Sequence, residues 1–408
     1  MSLSKNEVQA QYEAYPYPDR DPADEKKRLI TGSPSWPQEM DHHLWGGARD
    51  WSRPLRALVA GGGTGDGLIQ LAQMLTSAGR SYDITYLDLS QAARKVASAR
   101  AAARGLGGIN FVTGSLLEAG KLGEFDYIDC CGVLHHLPEP QAGFDALARA
   151  LAPGGGIGCM VYAPLGRSGV YPLQDAFRTL FDGLSPQERL GRAKAVFAGL
   201  PEGHPFNRNP HLVDHDASDA GFYDLLLHSS DRPYTIGQLL DALDAAGLEL
   251  AGVPEPALYQ PETLLPAGVS LPGHLDQAAR MGLAENLRGT FKTHVVYAVR
   301  AGARMAPPLG KPGAIPHLRG IDPARLAQAL AQKGQLRIAA GGAKVTLTLP
   351  KAAAKPVAAI DGRRDLAAIR HSAGMDPIAF AAAWSPLEKA LTGYGQMHYS
   401  TLLKAGPA

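Results

Sequence analysis

Two features of this chain combine residue types and spacing suited to chemistry. One is Gly61-Gly62-Gly63-Thr64-Gly65, entered directly from the apolar run Leu55-Arg56-Ala57-Leu58-Val59-Ala60. The other is Asp88, which closes a second apolar run, Ile84-Thr85-Tyr86-Leu87. Glycine is needed where a backbone turns sharply and lets a ligand approach to contact distance. An acid closing the neighbouring strand can take both hydroxyls of a ribose. The bland alternative is a tight strand-to-helix turn with no ligand. Spacing narrows the choice. A dinucleotide pattern G-x-G-x-x-G would need glycine at position 66 or 68, where Asp66 and Leu68 stand. The pattern G-x-G-x-G fits at Gly61, Gly63 and Gly65, and suits a ligand without a pyrophosphate.

These residues need a scaffold, and the surrounding pattern supplies one. From Leu55 onward strands alternate with helices: a helix near 68–78, a strand at 84–88, and a helix to Arg104 with Ser90 as its N-cap. Further strands follow at 109–113 and 127–130, then a helix at 141–151. Pro153-Gly154-Gly155-Gly156 turns into a fifth strand, 157–162. Such alternation predicts a parallel sheet with helices on both faces. Residues 163–234 break the rhythm with two amphipathic stretches, 170–181 and 185–200, and a polar segment. They read as an insertion over the carboxyl ends of the strands, with an ordinary structural extension as the alternative. Helix 235–246 and strands 248–253 and 294–300 complete the sheet. Residues 1–50 form an aromatic and proline-rich arm, with a short helix at 6–14. A Pro/Gly/Ala-rich linker, 301–316, leads to a small α+β unit, 317–408, for which a winged-helix-like arrangement is one option.

Composition excludes several classes. The 408 residues provide ample core, and a formal net charge of +1 gives no reason to expect nucleic-acid binding. Cys130, Cys131 and Cys159 lie in apolar runs without metal-binding spacing, so no metal is expected. The N-terminus has no apolar signal core and no run reaches about 18 apolar residues. The expectation is a cytoplasmic protein without membrane insertion.

The block 55–162 resembles the class I S-adenosylmethionine (SAM) methyltransferases. Val59–Gly65 matches the first motif, Tyr86–Ser90 the second, and Asn110–Leu116 the third. Phe125–Leu137 resembles the fourth motif, and Leu151–Gly156 the "LkPGG" turn. The resemblance implies a Rossmann-like seven-stranded sheet, with 294–300 as its antiparallel seventh strand, an inserted helical cap, and SAM as cofactor. It assigns cofactor contacts to Tyr12, Gly61, Gly62, Gly63, Gly65, Asp88, Leu89, Gly114, Ser115, Leu116 and Cys131. Two positions depart from the family: Val59 stands where an acid usually supports the glycine loop, and Ser115 where aspartate usually meets the adenine. The flanks narrow the group. Gln11-Tyr12-Glu13-Ala14-Tyr15-Pro16-Tyr17-Pro18 is similar to the opening of bacterial enzymes that include outer-membrane-protein lysine methyltransferases.

Catalytic candidates are His135 and His136, with Tyr15 and Tyr17 from the arm. Methyl transfer rests mainly on positioning, and a base helps only an acceptor that is protonated at working pH, such as lysine. The histidine pair reads first as a helix-starting structural pair and second as that base. Tyr12, Tyr15 and Tyr17 read either as a lid or as an arm packed on the core, and His215, His228 and Arg232 as serving the insertion. The sequence therefore predicts a SAM-dependent methyltransferase acting on a protein side chain, with lysine preferred. A small-molecule O- or N-methyltransferase and a silent SAM-binding scaffold are the alternatives, and a homodimer is compatible with either.

Overall fold

The structure, a computed structural model, describes residues 12–13, 15–32 and 34–404. The helix expected at 6–14 lies outside them apart from Tyr12 and Glu13. β1 (Leu55–Ala60), β2 (Tyr82–Asp88), β3 (Ile109–Thr113), β4 (Phe125–Cys131) and β5 (Leu151–Tyr162) run parallel, in the order β3-β2-β1-β4-β5. β6 (Leu248–Gly252) and β7 (Thr293–Arg300) complete seven strands, with β7 inserted antiparallel between β5 and β6. This is the sheet expected of a class I methyltransferase. Apolar side chains of β1, such as Leu58 and Val59, pack into separate cores on its two faces.

One boundary differs from the sequence reading. Residues 153–156 are not a turn before β5 but an irregular stretch within it, since Leu151 already pairs with Phe125 and the register shifts before Gly156 pairs with Tyr127. A Cβ on Gly155 would stand 2.8 Å from the Phe125 carbonyl oxygen, so this approach excludes a side chain.

The polar segment after 200 is also more ordered than its composition suggests. It holds the helices Asp214–Ala217 and Asp219–Leu226, the second capped by the Ser218 hydroxyl. Phe222, Leu225 and Leu226 close an apolar core with Val170, Phe177 and Leu190.

In the C-terminal part, the helix Pro323–Lys333 precedes an antiparallel hairpin, β9 (Gln335–Ala340) and β10 (Ala343–Thr348). Gly341 and Gly342, both at positive φ, supply the turn. Helices Leu366–Ser372 and Pro377–Gly393 follow. β8 (Pro316–Leu318), earlier in the chain, pairs with β11 (Met397–Tyr399). Among the described residues no helix is long and apolar enough to cross a membrane.

The arm contributes a helix that sequence reading missed, Pro37–Leu44, and it fastens the C-terminal part to the sheet. Buried Asp41 accepts from Trp51 Nε1 (2.9 Å), the Ser400 hydroxyl (2.7 Å) and the Thr401 amide (3.0 Å). The Tyr399 amide donates to His42 Nδ1 (3.0 Å), and burial pulls the His42 pKa down to about 4. The sign follows directly. Between pH 6.5 and 4 the unfolded chain takes up a proton that the fold refuses, so stability falls as pH falls through that window. We expect wild type to lose on the order of 3 kcal/mol through this group, at about 1.36 kcal/mol per pH unit. His42→Asn should flatten the slope in urea titrations at stepped pH; an identical slope would remove His42 as its source.

Candidate active site

A cavity of about 450 Å³ opens over the carboxyl ends of β1, β2, β4 and β5. Twelve of the fifteen residues singled out above lie on its wall: Tyr12, Tyr17, Gly61, Gly62, Gly63, Asp88, Leu89, Gly114, Ser115, Leu116, Cys131 and His136. Three do not. Gly65 is the left-handed N-cap of the helix Asp66–Ser77 and packs on Ala97, where a Cβ would sit 3.0 Å from the alanine Cβ. Tyr15 stacks on Tyr223 with ring centroids 5.0 Å apart. His135 is fully buried between His136 and Tyr162, because the single 3-10 turn Leu134–His136 sends successive side chains in different directions. Burial holds its pKa well below the usual histidine range.

The loop support that Val59 cannot give comes from three other side chains. The Gly63 amide donates to Asp88 Oδ2 (2.8 Å), Tyr86 donates to the Gly63 carbonyl (2.5 Å), and Arg100 to the Thr64 carbonyl (2.8 Å). Gly63 has φ +52°, and a Cβ there would stand 2.8 Å from the Tyr17 carbonyl, so only glycine lets the arm pass. The other Asp88 oxygen accepts from the Ser90 amide (2.8 Å). Each oxygen thus keeps acceptor capacity toward the cavity, the pair of acceptors that the two hydroxyls of a ribose diol require. Burial raises the Asp88 pKa while the amides oppose the shift. The Ser115 hydroxyl is turned to its own backbone, accepting from the Leu117 amide (3.3 Å).

The arm crosses this loop and is fixed at several points. Thr64 donates to the Pro18 carbonyl (2.6 Å), and Arg20 grips Asp66 with two bonds (2.9 and 2.7 Å). Fully buried Arg100 joins Asp66 (2.7 Å) to Glu25 (2.6 Å). The Glu13 carboxylate accepts from the Gln91 amide (2.6 Å) at the start of the helix Gln91–Ala103. None of Arg20, Glu25 and Arg100 carries a local sequence signal, since the network joins segments about 75 residues apart.

The far end of the cavity is built from β5, the turn after β4, the arm and the insertion. The Ser230 amide donates to His228 Nδ1 (3.0 Å), which leaves the proton on Nε2 to reach the Tyr12 oxygen (3.0 Å). The Tyr12 hydroxyl then donates to Asp224 Oδ1, and Tyr162 to Asp224 Oδ2, both at 3.2 Å. His136 Nδ1 donates to the Ser230 carbonyl (2.7 Å), so its buried Nε2 carries a lone pair with no hydrogen-bond partner. His228, read from sequence as serving the insertion, thus joins this network. Nitrogen and oxygen atoms of His136, Asp224 and His228 lie within 4.8 Å of one another. The two imidazoles stack, with centroids 3.7 Å apart and planes at 18°. Their in-plane lone pairs run side by side and do not converge on one ion at about 2.0–2.1 Å. A hydrogen-bonded network explains the cluster better.

Seven strands in this order, with a glycine loop and an acid ending β2 at one cavity, define the SAM-dependent class I methyltransferase fold. The family described as "Methyltransferase domain" matches residues 58–157. An uncharacterised protein from Synechococcus is 33% identical over 263 residues, covering 63% of this chain and 62% of the relative. The ubiquinone/menaquinone biosynthesis C-methyltransferase UbiE of Methylobacterium nodulans is 31% identical over 128 residues, covering 31% of this chain and 49% of UbiE. The chain thus spans less than two thirds of either curated relative. Among solved structures, PKMT2 from Rickettsia typhi in complex with AdoHcy has a similar fold: TM-score 0.59, 14% identity, and 93% of this chain and 78% of that one covered.

Proposed function

We propose that this protein transfers the methyl group of SAM to the side-chain amine of a protein lysine. One observation carries the reading: His136 Nε2, buried, unpartnered and on the cavity wall. An amine acceptor is protonated at neutral pH and must shed that proton, which gives a bare imidazole nitrogen a task that an ionised acid acceptor would not. Bound SAM supplies an electrophilic methyl group. Asp88 would take the ribose hydroxyls, Gly61–Gly63 would hold the loop against the cofactor, and Leu89, Gly114, Ser115 and Leu116 would flank the base. Tyr12, Tyr17 and Cys131 close the remaining wall. His136 Nε2 would take the ammonium proton while Nδ1–H stays on Ser230, and the freed amine lone pair would form the N–C bond as the methyl's C–S bond breaks and S-adenosylhomocysteine leaves. The fold likeness to PKMT2 over most of the chain supports this reading, as does the Gln11–Pro18 opening.

The test supplies methyl-labelled SAM to the protein in a cell extract. Label should appear in protein and be recovered as Nε-methyl-lysine after acid hydrolysis. Label confined to the small-molecule fraction would overturn the protein-acceptor reading.

A further inference from the structure

We propose that Asp224 is the binding site for the acceptor's ammonium group, with Tyr12, Tyr17 and Tyr162 as the wall around it. The inference rests on the amine-acceptor reading and names the recognition element within it.

Asp224 is 4% exposed, lines the cavity and makes no ion pair among the described residues. Among the described residues its hydrogen-bond partners are the two tyrosine hydroxyls, at 3.2 Å each, long for bonds to a carboxylate. The guanidinium that acts on it, Arg167, is already committed. Arg167 lies over the Tyr162 ring (3.6 Å to the centroid) and bonds Tyr171 (3.1 Å) and Asp231 (3.5 Å). One buried cation, Arg167, thus answers to two carboxylates, Asp224 and, behind the wall, Asp231. A buried carboxylate that makes no ion pair is costly, and burial pushes the Asp224 pKa up against the opposing pull of His136 and Arg167. A ligand cation removes that cost.

The surroundings suit a primary ammonium rather than a guanidinium or a metal ion. Tyrosine rings attract a compact cation through their faces, and their oxygens accept N–H bonds. A ring nitrogen of His136 lies within 4.8 Å of an Asp224 oxygen, so an ammonium held by Asp224 lies beside the imidazole that is to take its proton. In the step implied, one N–H proton moves to His136, giving an imidazolium and a neutral amine still hydrogen-bonded to Asp224. Tyr12 belongs to the arm and Asp224 to the insertion, so the ammonium site is complete only when the arm lies across the loop.

The test uses n-butylamine as a lysine side-chain probe, titrated at pH 7 into protein saturated with S-adenosylhomocysteine (SAH). Butylammonium should bind, n-butanol should bind at least tenfold more weakly, and Asp224→Asn should lose at least tenfold in butylammonium affinity while SAH affinity stays within twofold. Absence of butylammonium binding to wild type, or equal affinity in the variant, would overturn the proposal. A tenfold fall in SAM affinity relative to SAH in the variant would assign Asp224 to the sulfonium and overturn it too. Butylammonium binding lost in Asp224→Asn, with no protein labelled in the extract, would fail the protein-lysine reading and leave the ammonium site standing.

Discussion

His136→Gln is expected to lower turnover about 10²–10⁴-fold, the usual contribution of a positioned general acid or base. Glutamine is close in size and can still donate to the Ser230 carbonyl, so the turn after β4 should survive. It lacks a basic nitrogen to take a proton. SAH affinity should change little, because His136 belongs to the end of the cavity away from Asp88. A single-turnover assay with calorimetry on the same samples separates the two effects. Full turnover in the variant would show that the amine loses its proton elsewhere, and the base assignment would fall.

Asp88→Ala is expected to weaken SAM and SAH by on the order of 10²–10⁴-fold, from two charge-assisted hydrogen bonds at roughly 1.5–3 kcal/mol each. A further loss comes from the loop, since Asp88 Oδ2 holds the Gly63 amide at 2.8 Å. Asp88→Asn is the informative companion. Its amide nitrogen must face either the Gly63 or the Ser90 amide, donor against donor, so it should fall well short of wild type despite its matching shape. Because burial raises the Asp88 pKa, cofactor affinity should also fail at a higher pH, on acidification, than an ordinary carboxylate would allow. Calorimetry of both variants with SAH checks this; unchanged affinity in Asp88→Ala would mean that the ribose is held by other groups.

Much of the site was legible where chemistry is carried by contiguous residues. The glycine run, Asp88 and the strand ends are short local patterns, and a parallel sheet brings the carboxyl ends of its strands to one edge, so their order along the chain is enough to gather them. The three residues that lie off the cavity wall share one reason. Gly65 and His135 adjoin the wall residues Asp66 and His136, and Tyr15 stands two before Tyr17, but backbone geometry turns them to a helix cap, the core and a stacked ring.

Sequence by itself determined the sheet, the glycine loop and the acid that ends β2, because period, turn chemistry and spacing are local properties. Tertiary structure alone decided what replaces the acid missing at Val59, namely Asp88, Tyr86 and Arg100. It also decided that Asp224, His228, Tyr162 and the arm's Tyr12 meet at the far end of the cavity. Tyr12 and Asp224 lie 212 residues apart, and no periodicity or motif encodes a hydrogen bond across that distance. Only packing of the insertion and the arm over the sheet brings these groups together, and burial there leaves a carboxylate without a cation and an imidazole nitrogen without a partner.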